Sequence, residues 1–183
     1  MPPLRLPGEV LEFWFSEQSR PLWFEQNSAF DNELRARFGA NVAAACVGDL
    51  DYWVRAVDSS LALVLLLDQI PRNIYRDSPH AFATDHLAQR VTQRAIARGF
   101  DAATEVALRV FCYLPFEHAE DVALQDEGVR LIAALPDPDY LKYAKIHRDI
   151  IARFGRFPHR NVIVGRTSTP EELAFLAEGG FAG

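Results

Sequence analysis

Cysteine is nearly missing from this chain of 183 residues, which carries only two. Cys46 and Cys112 form neither a metal-type nor a redox-type pair, so a small disulfide scaffold and a cysteine-based metal site are excluded. Each lies among alanines or aromatics, where a thiol serves as a small apolar filler. Long apolar runs are also missing: Leu61 to Leu67 is the longest aliphatic stretch, far below the ~20 residues that span a bilayer. The start, Met1-Pro2-Pro3-Leu4-Arg5, lacks the basic patch and apolar stretch of a secretory signal. A cytoplasmic protein without a membrane role is the expectation. Positive charge is in deficit, with 19 Lys and Arg against 25 Asp and Glu and a net charge of -6. A duplex-binding protein needs a broad basic surface to displace counterions, so no nucleic-acid partner is expected. Low-complexity segments, charge runs and a fixed repeat period are absent as well.

What remains is 49% hydrophobic and 24% charged residues, enough for one compact domain over 1–183 with a sizeable core. The periodicity is helical almost throughout. Val10, Phe13 and Trp14 share a face, as do Phe30, Leu34 and Phe38. The all-apolar run at Leu61–Leu67 reads as a central buried helix over about 59–69, capped by Ser59 or Ser60. Helices are expected over about 84–98, ended by Gly99, and 103–113, ended ahead of Pro115 because proline disfavours helical geometry in the preceding residue. Further helices are expected over 121–135 and 140–154, the latter ended by Gly155. Thr169-Pro170-Glu171-Glu172 reads as a capping box with proline at the first helical position. Gly179 to Gly183 reads as a frayed tail, and the strand candidates amount to Val162-Ile163-Val164. The expectation is an all-α array of about eight or nine short antiparallel helices.

Four arginines, Arg153, Arg156, Arg160 and Arg166, lie with His159 between Ile150 and Pro170, a stretch without a carboxylate. Planar guanidinium forks grip carboxylate or phosphate oxygens in pairs, so this patch suits a small anion or an acidic peptide segment. The same arginines are open to pairing internally with Asp68, Asp85 or Glu117. Pro71-Arg72-Asn73-Ile74 is echoed by Pro158-His159-Arg160-Asn161-Val162, and both read as helix-ending corners. Asp68 falls on the inner face of the apolar helix, where it needs a partner: Arg72 four residues on, or Arg160. Gln69 beside it reads as a hydrogen-bonding wedge. Glu117, His118 and Glu120 are expected in the first turn of a helix, where the positive end of the macrodipole favours carboxylates. His147 falls on the packed face of its helix, and gains an acid–base reading if Glu117 or His118 lies opposite. Arg72, Glu117 and Arg160 are expected to converge on one hollow. No Glu-x-x-His, His-Glu-x-x-His, Gly-x-Ser-x-Gly or phosphate-cradling loop occurs, so no metal and no cofactor is expected.

The chain resembles the bacterial family of unknown function DUF924. The resemblance rests on Leu65-Leu66-Leu67-Asp68-Gln69-Ile70-Pro71-Arg72-Asn73, on Pro115-Phe116-Glu117-His118, and on Phe154-Gly155-Arg156-Phe157-Pro158-His159-Arg160-Asn161. Phe13-Trp14-Phe15 and the Thr169 cap also fit, so that the likeness covers about residues 8–178. Ala119 stands where the family commonly shows serine. The resemblance implies an all-helical fold related to tetratricopeptide-repeat arrays and carries over no catalytic residue. Three functions follow as expectations. The first is a binding module whose pocket of Asp68, Arg72, Asn73, Glu117, His118, His147, Arg156, His159, Arg160 and Asn161 holds a small anion or acidic peptide. The second is a general acid–base enzyme of hydrolase or lyase type, with His118 or His147 as proton carrier. The third is an interaction scaffold whose aromatic pairs, such as Trp23-Phe24, form an oligomer interface.

Overall fold

Leucine and alanine favour helix, and the run at Leu61–Leu67 forms one. The computed structural model describes residues 3–181. Met1 and Pro2 of the expected leaderless start, and Ala182 and Gly183 of the expected frayed tail, lie outside the described residues. Among the described residues the chain is all-helical and contains no strand. The helices are α1 (Pro7–Trp14), α2 (Ser28–Cys46), α3 (Val57–Leu67), α4 (Gln69–Ile74), α5 (Asp85–Ala97), α6 (Phe100–Ala103), α7 (Val110–Glu117), α8 (Val122–Ile132), α9 (Pro138–Phe154) and α10 (Pro170–Ala177). Among the described residues no helix is long and apolar enough to cross a membrane. The chain divides into two compact units, one of residues 1–76 and 80–115, the other of 77–79 and 116–183.

In the first unit α3 is the central element, buried on every side from Ser60 to Leu67 and packed against α1, α2, α4 and α5. Burial of each large side chain there contributes roughly 1.5–3 kcal/mol before ordering costs. Ser59 and Ser60 do not cap it. Ala56 occupies the cap position, and the Ser59 hydroxyl instead donates to the Trp53 carbonyl. The Val10–Trp14 and Phe30–Leu34–Phe38 stripes face the same core. Around them Trp14, Trp23 and Phe111 stack and edge together, with the Trp23 indole N–H donating to the Trp14 carbonyl at 2.7 Å. Cys46 and Cys112 are both free thiols, but Cys46 is exposed and so, against expectation, fills no apolar space. Burial pushes the Cys112 thiol up to about 11, consistent with an inert filler.

Two prolines act differently from expectation. Pro71 does not end a helix: it sits inside α4, and the break falls one turn earlier, at Asp68 between α3 and α4. A proline has no N–H for the carbonyl four residues back and its ring crowds that carbonyl. The carbonyl so released is that of Leu67, and the Thr84 hydroxyl donates to it at 2.7 Å. Nor does a helix stop ahead of Pro115, because α7 runs through it to Glu117. Every residue from Val110 to Leu114, and Phe116 after it, is buried, so packing overrides the local preference. Residues 104–109, expected in this helix, lie outside it, with 106–109 forming a turn.

In the second unit α8 packs along α9. Asp121 caps α8 by accepting from the Ala123 and Leu124 N–H groups, and Gly155, with φ 69°, ends α9 in the left-handed conformation that suits glycine. Ile150, Ile151 and Phe157 form the core here, with Ile146, Phe154, Phe175 and Phe181 against them. Val162-Ile163-Val164 is no strand. It makes a turn closed by the Val164 N–H on the Arg160 carbonyl, leaving Val162 88% exposed.

Candidate functional site

The sequence-derived site residues divide between the units. Asp68, Arg72 and Asn73 belong to the first; Glu117, His118, His147, Arg156, His159, Arg160 and Asn161 belong to the second.

In the first unit the break before α4 turns Asp68 fully inward, where it is 0% exposed. An isolated carboxylate there would cost several kcal/mol. It is held on two sides: Arg72 Nη1 lies 3.3 Å from Oδ1, and the Gln69 amide donates to Oδ2. Gln69 is thus the wedge the sequence suggests. The Arg72 fork is itself bidentate on Asp85, at 3.0 Å for each nitrogen, and also donates to the Asp68 carbonyl. Burial opposes the Arg72 charge, but Asp68 and Asp85 outweigh it and hold the guanidinium pKa above its ordinary value. Asn73 is likewise engaged, donating at 2.8 Å to Asp31, which Arg76 grips in a second fork. Arg72 and Asn73 thus both meet carboxylates of their own unit.

The second unit differs. Glu117, His118 and Glu120 do not open a helix. Glu117 is the last residue of α7, and His118 and Glu120 lie in the connection ahead of the α8 cap. Glu117 therefore sits at the negative end of a helix, where the macrodipole disfavours a carboxylate, and it is only 6% exposed. The Gln125 amide of α8 donates to the Glu117 and Ala119 carbonyls and so fixes this helix end. What faces the Glu117 side chain is His147 of α9. Its Nδ1 lies 3.0 Å from Glu117 Oε1 and 2.8 Å from the Tyr143 carbonyl oxygen. Both neighbours are acceptors, so Nδ1 carries a hydrogen, and in the neutral ring Nε2 presents its lone pair.

Other imidazoles gather here. The His118 and His147 rings are 6.3 Å apart, and Phe157 lies 5.5 Å from both His147 and His159. Burial, then the Arg160 and His147 charges, pushes His159 down to about 4, despite Glu120 acting the other way. The Arg160 guanidinium lies 4.4 Å over the Phe157 ring.

The remaining arginines of the patch meet this chain's own carboxylates. Arg156 forks onto Glu172 at 2.6 and 2.8 Å, and Glu172 also closes the Thr169 capping box. The Arg156 fork, ahead of the opposing burial, holds the Glu172 carboxyl down at about 2. Arg166 forks onto Glu120, which also accepts from the Phe157 N–H at 2.8 Å. Burial works against the Glu120 charge, yet these bonds keep its pKa below the usual carboxylate range. Arg153 reaches Glu171 at the surface. Asn161, 0% exposed, donates its amide to Ser168 and Glu172.

Sequence reasoning missed Gln125 and Phe181. A helix-borne glutamine gives no local sign that it will cap another helix. Phe181 follows Gly179-Gly180, and that pair is a signal for a tight turn rather than a frayed end.

An all-helical fold with a buried carboxylate–imidazole pair at a helix end is the class defined by these observations. The chain belongs to the DUF924 family of bacterial proteins of unknown function, whose model matches residues 10–180. It is similar to the solved structure of a protein of unknown function, ATU0120 from Agrobacterium tumefaciens. The two are 47% identical with a TM-score of 0.90, over 94% of this chain and 97% of that one. No curated protein matches.

Proposed function

We propose that the second unit is a general acid–base centre of hydrolase or lyase type, with His147 as the proton carrier and Glu117 orienting it. The observation that carries this reading is Nδ1 of His147 between two acceptors, Glu117 at 3.0 Å and Tyr143 at 2.8 Å. Such an arrangement fixes the tautomer, directs a basic Nε2 outward from the bonded edge and stabilises the imidazolium once a proton is taken. The Glu117 carboxylate stands at the unfavourable end of a helix dipole, and its contact with His147 offsets that cost. Arg160, on the same Phe157 ring that His147 contacts, supplies positive charge for a developing oxyanion. The anion-holding reading draws less support, because the Arg156 and Arg166 forks are turned onto Glu172 and Glu120.

The test is turnover of a panel of small p-nitrophenyl esters by the whole chain. His147→Gln is expected to lower kcat/KM by about 10²–10⁴-fold, the usual worth of a positioned acid–base group. Glu117→Gln should give a smaller loss, in kcat rather than KM. Turnover no greater than that of free imidazole, or a fully active His147→Gln, would overturn the proposal.

A further inference from the structure

After α10 the chain folds back on two glycines. Gly179 has φ +83°, a conformation L side chains rarely adopt, and its N–H donates to the Leu176 carbonyl at 3.2 Å. The Gly180 N–H donates to the Phe175 carbonyl at 2.9 Å. A Cβ on Gly180 would lie 2.5 Å from the Phe175 ring and 2.6 Å from its carbonyl oxygen, so no larger residue fits without displacement. Far from fraying, this turn delivers Phe181 onto two imidazoles. Its ring meets His147 at 4.5 Å and 66°, and His159 at 5.6 Å and 74°. Both are edge-to-face contacts of the kind aromatic rings prefer. The contact to His147 is shorter than those of Phe157 or His118 to the same ring. Phe181 also rests on the apolar cluster of Ile150, Ile151 and Phe157.

The place Phe181 fills is therefore an apolar seat with hydrogen-bonding groups in its wall. Among the described residues, His159 Nδ1 is buried without a hydrogen-bond partner. We propose that this seat is a ligand subsite for a flat aromatic group joined to a polar acyl head, and that Phe181 occupies it until such a guest displaces it. A phenyl group reproduces the edge-to-face contacts that Phe181 makes, and the acyl head meets the unmatched imidazole nitrogen. The inference stands apart from the acid–base reading. The seat itself requires no turnover.

Calorimetric titration of the whole chain with phenylacetamide, against acetamide, tests this. Phe181→Ala, which empties the seat, and Gly180→Ala, which drives the turn off Phe175, are each expected to bind phenylacetamide at least tenfold more tightly than the wild type. Phe181→Leu, which keeps an apolar plug and guards against loss of fold, should fall between, and acetamide should gain nothing. Equal affinity for phenylacetamide in wild type and all three variants overturns the subsite, as does an equal gain for acetamide. A tighter Phe181→Ala alongside a fully active His147→Gln would leave the seat standing and remove only the acid–base reading.

Discussion

Both units bury a carboxylate, and they treat it in opposite ways. In the first, Asp68 and Asp85 share one guanidinium, which stays charged at any pH the fold survives. In the second, Glu117 faces the imidazole of His147, a side chain with one ring nitrogen to donate and one to accept. An arginine between carboxylates is a permanent clamp that makes architecture. A histidine held by a carboxylate and a carbonyl can give and take a proton. A buried charge pair is informative about function through the titration of its partner more than through its burial.

The comparison breaks most visibly at Arg72. Replacing it with Met leaves Asp68 and Asp85 inside the first unit without their shared cation. The expected cost is about 3–5 kcal/mol, since removing one member strands a buried charge. Urea titration should show the midpoint fall accordingly, with a large part recovered in a triple variant that also carries Asp68→Asn and Asp85→Asn. A loss below 1 kcal/mol would mean that the fork contributes little.

The next effect separates the units by pH. His159 is held at about 4 in the folded chain, against an ordinary value of 6.5. Between those values the unfolded chain takes up a proton that the folded chain refuses, so stability falls as pH falls through that window. Arg160, His147 and His118 press against the His159 charge, with Glu120 alone in its favour. From pH 7 to 4.5 the loss should be about 2 kcal/mol, allowing for screening of a partly exposed ring. His159→Gln should flatten the urea midpoint over this range. Glu172, held at about 2, acts lower: its contribution is full above about 4.5 and disappears as pH falls toward 2. An unchanged slope in His159→Gln would show that the ring titrates normally.

The clamp was more legible than the acid–base pair, for a physical reason. Asp68 and Arg72 are one helical turn apart, so spacing alone suggests their meeting. The Thr169 capping box and the Gly99 and Gly155 stops are equally local. Glu117 and His147 are far apart in the chain, and their meeting depends on how α8 lays α9 beside the end of α7. Local rules also misplaced that end, because the penalty at Pro115 is smaller than the gain from burying Val110 to Phe116. Likewise, three β-branched residues at 162–164 carry strand propensity but have no neighbouring strand to pair with. Arg166 finds Glu120 only through the tertiary fold, so sequence could show the positive patch but not its neutralisation.

The smallest effect sharpens the contrast inside the second unit itself. Arg153 and Arg156 are one turn of chain apart, and each faces a glutamate of the α10 first turn. Arg153 and Glu171 are more than half exposed, at 53% and 62%, whereas Glu172 is 3% exposed. Water already solvates both members of the outer pair, and holding two long side chains together costs entropy, which leaves such pairs about 0–1 kcal/mol. Arg153 also covers the faces of Phe154 and Phe175, at 4.6 and 5.8 Å, so part of its contribution is packing rather than charge. Arg153→Ala should therefore cost less than about 1 kcal/mol in a urea titration, and the loss should persist in high salt, which screens the ion pair but not the ring contacts. A cost that vanishes with salt would assign the whole effect to Glu171.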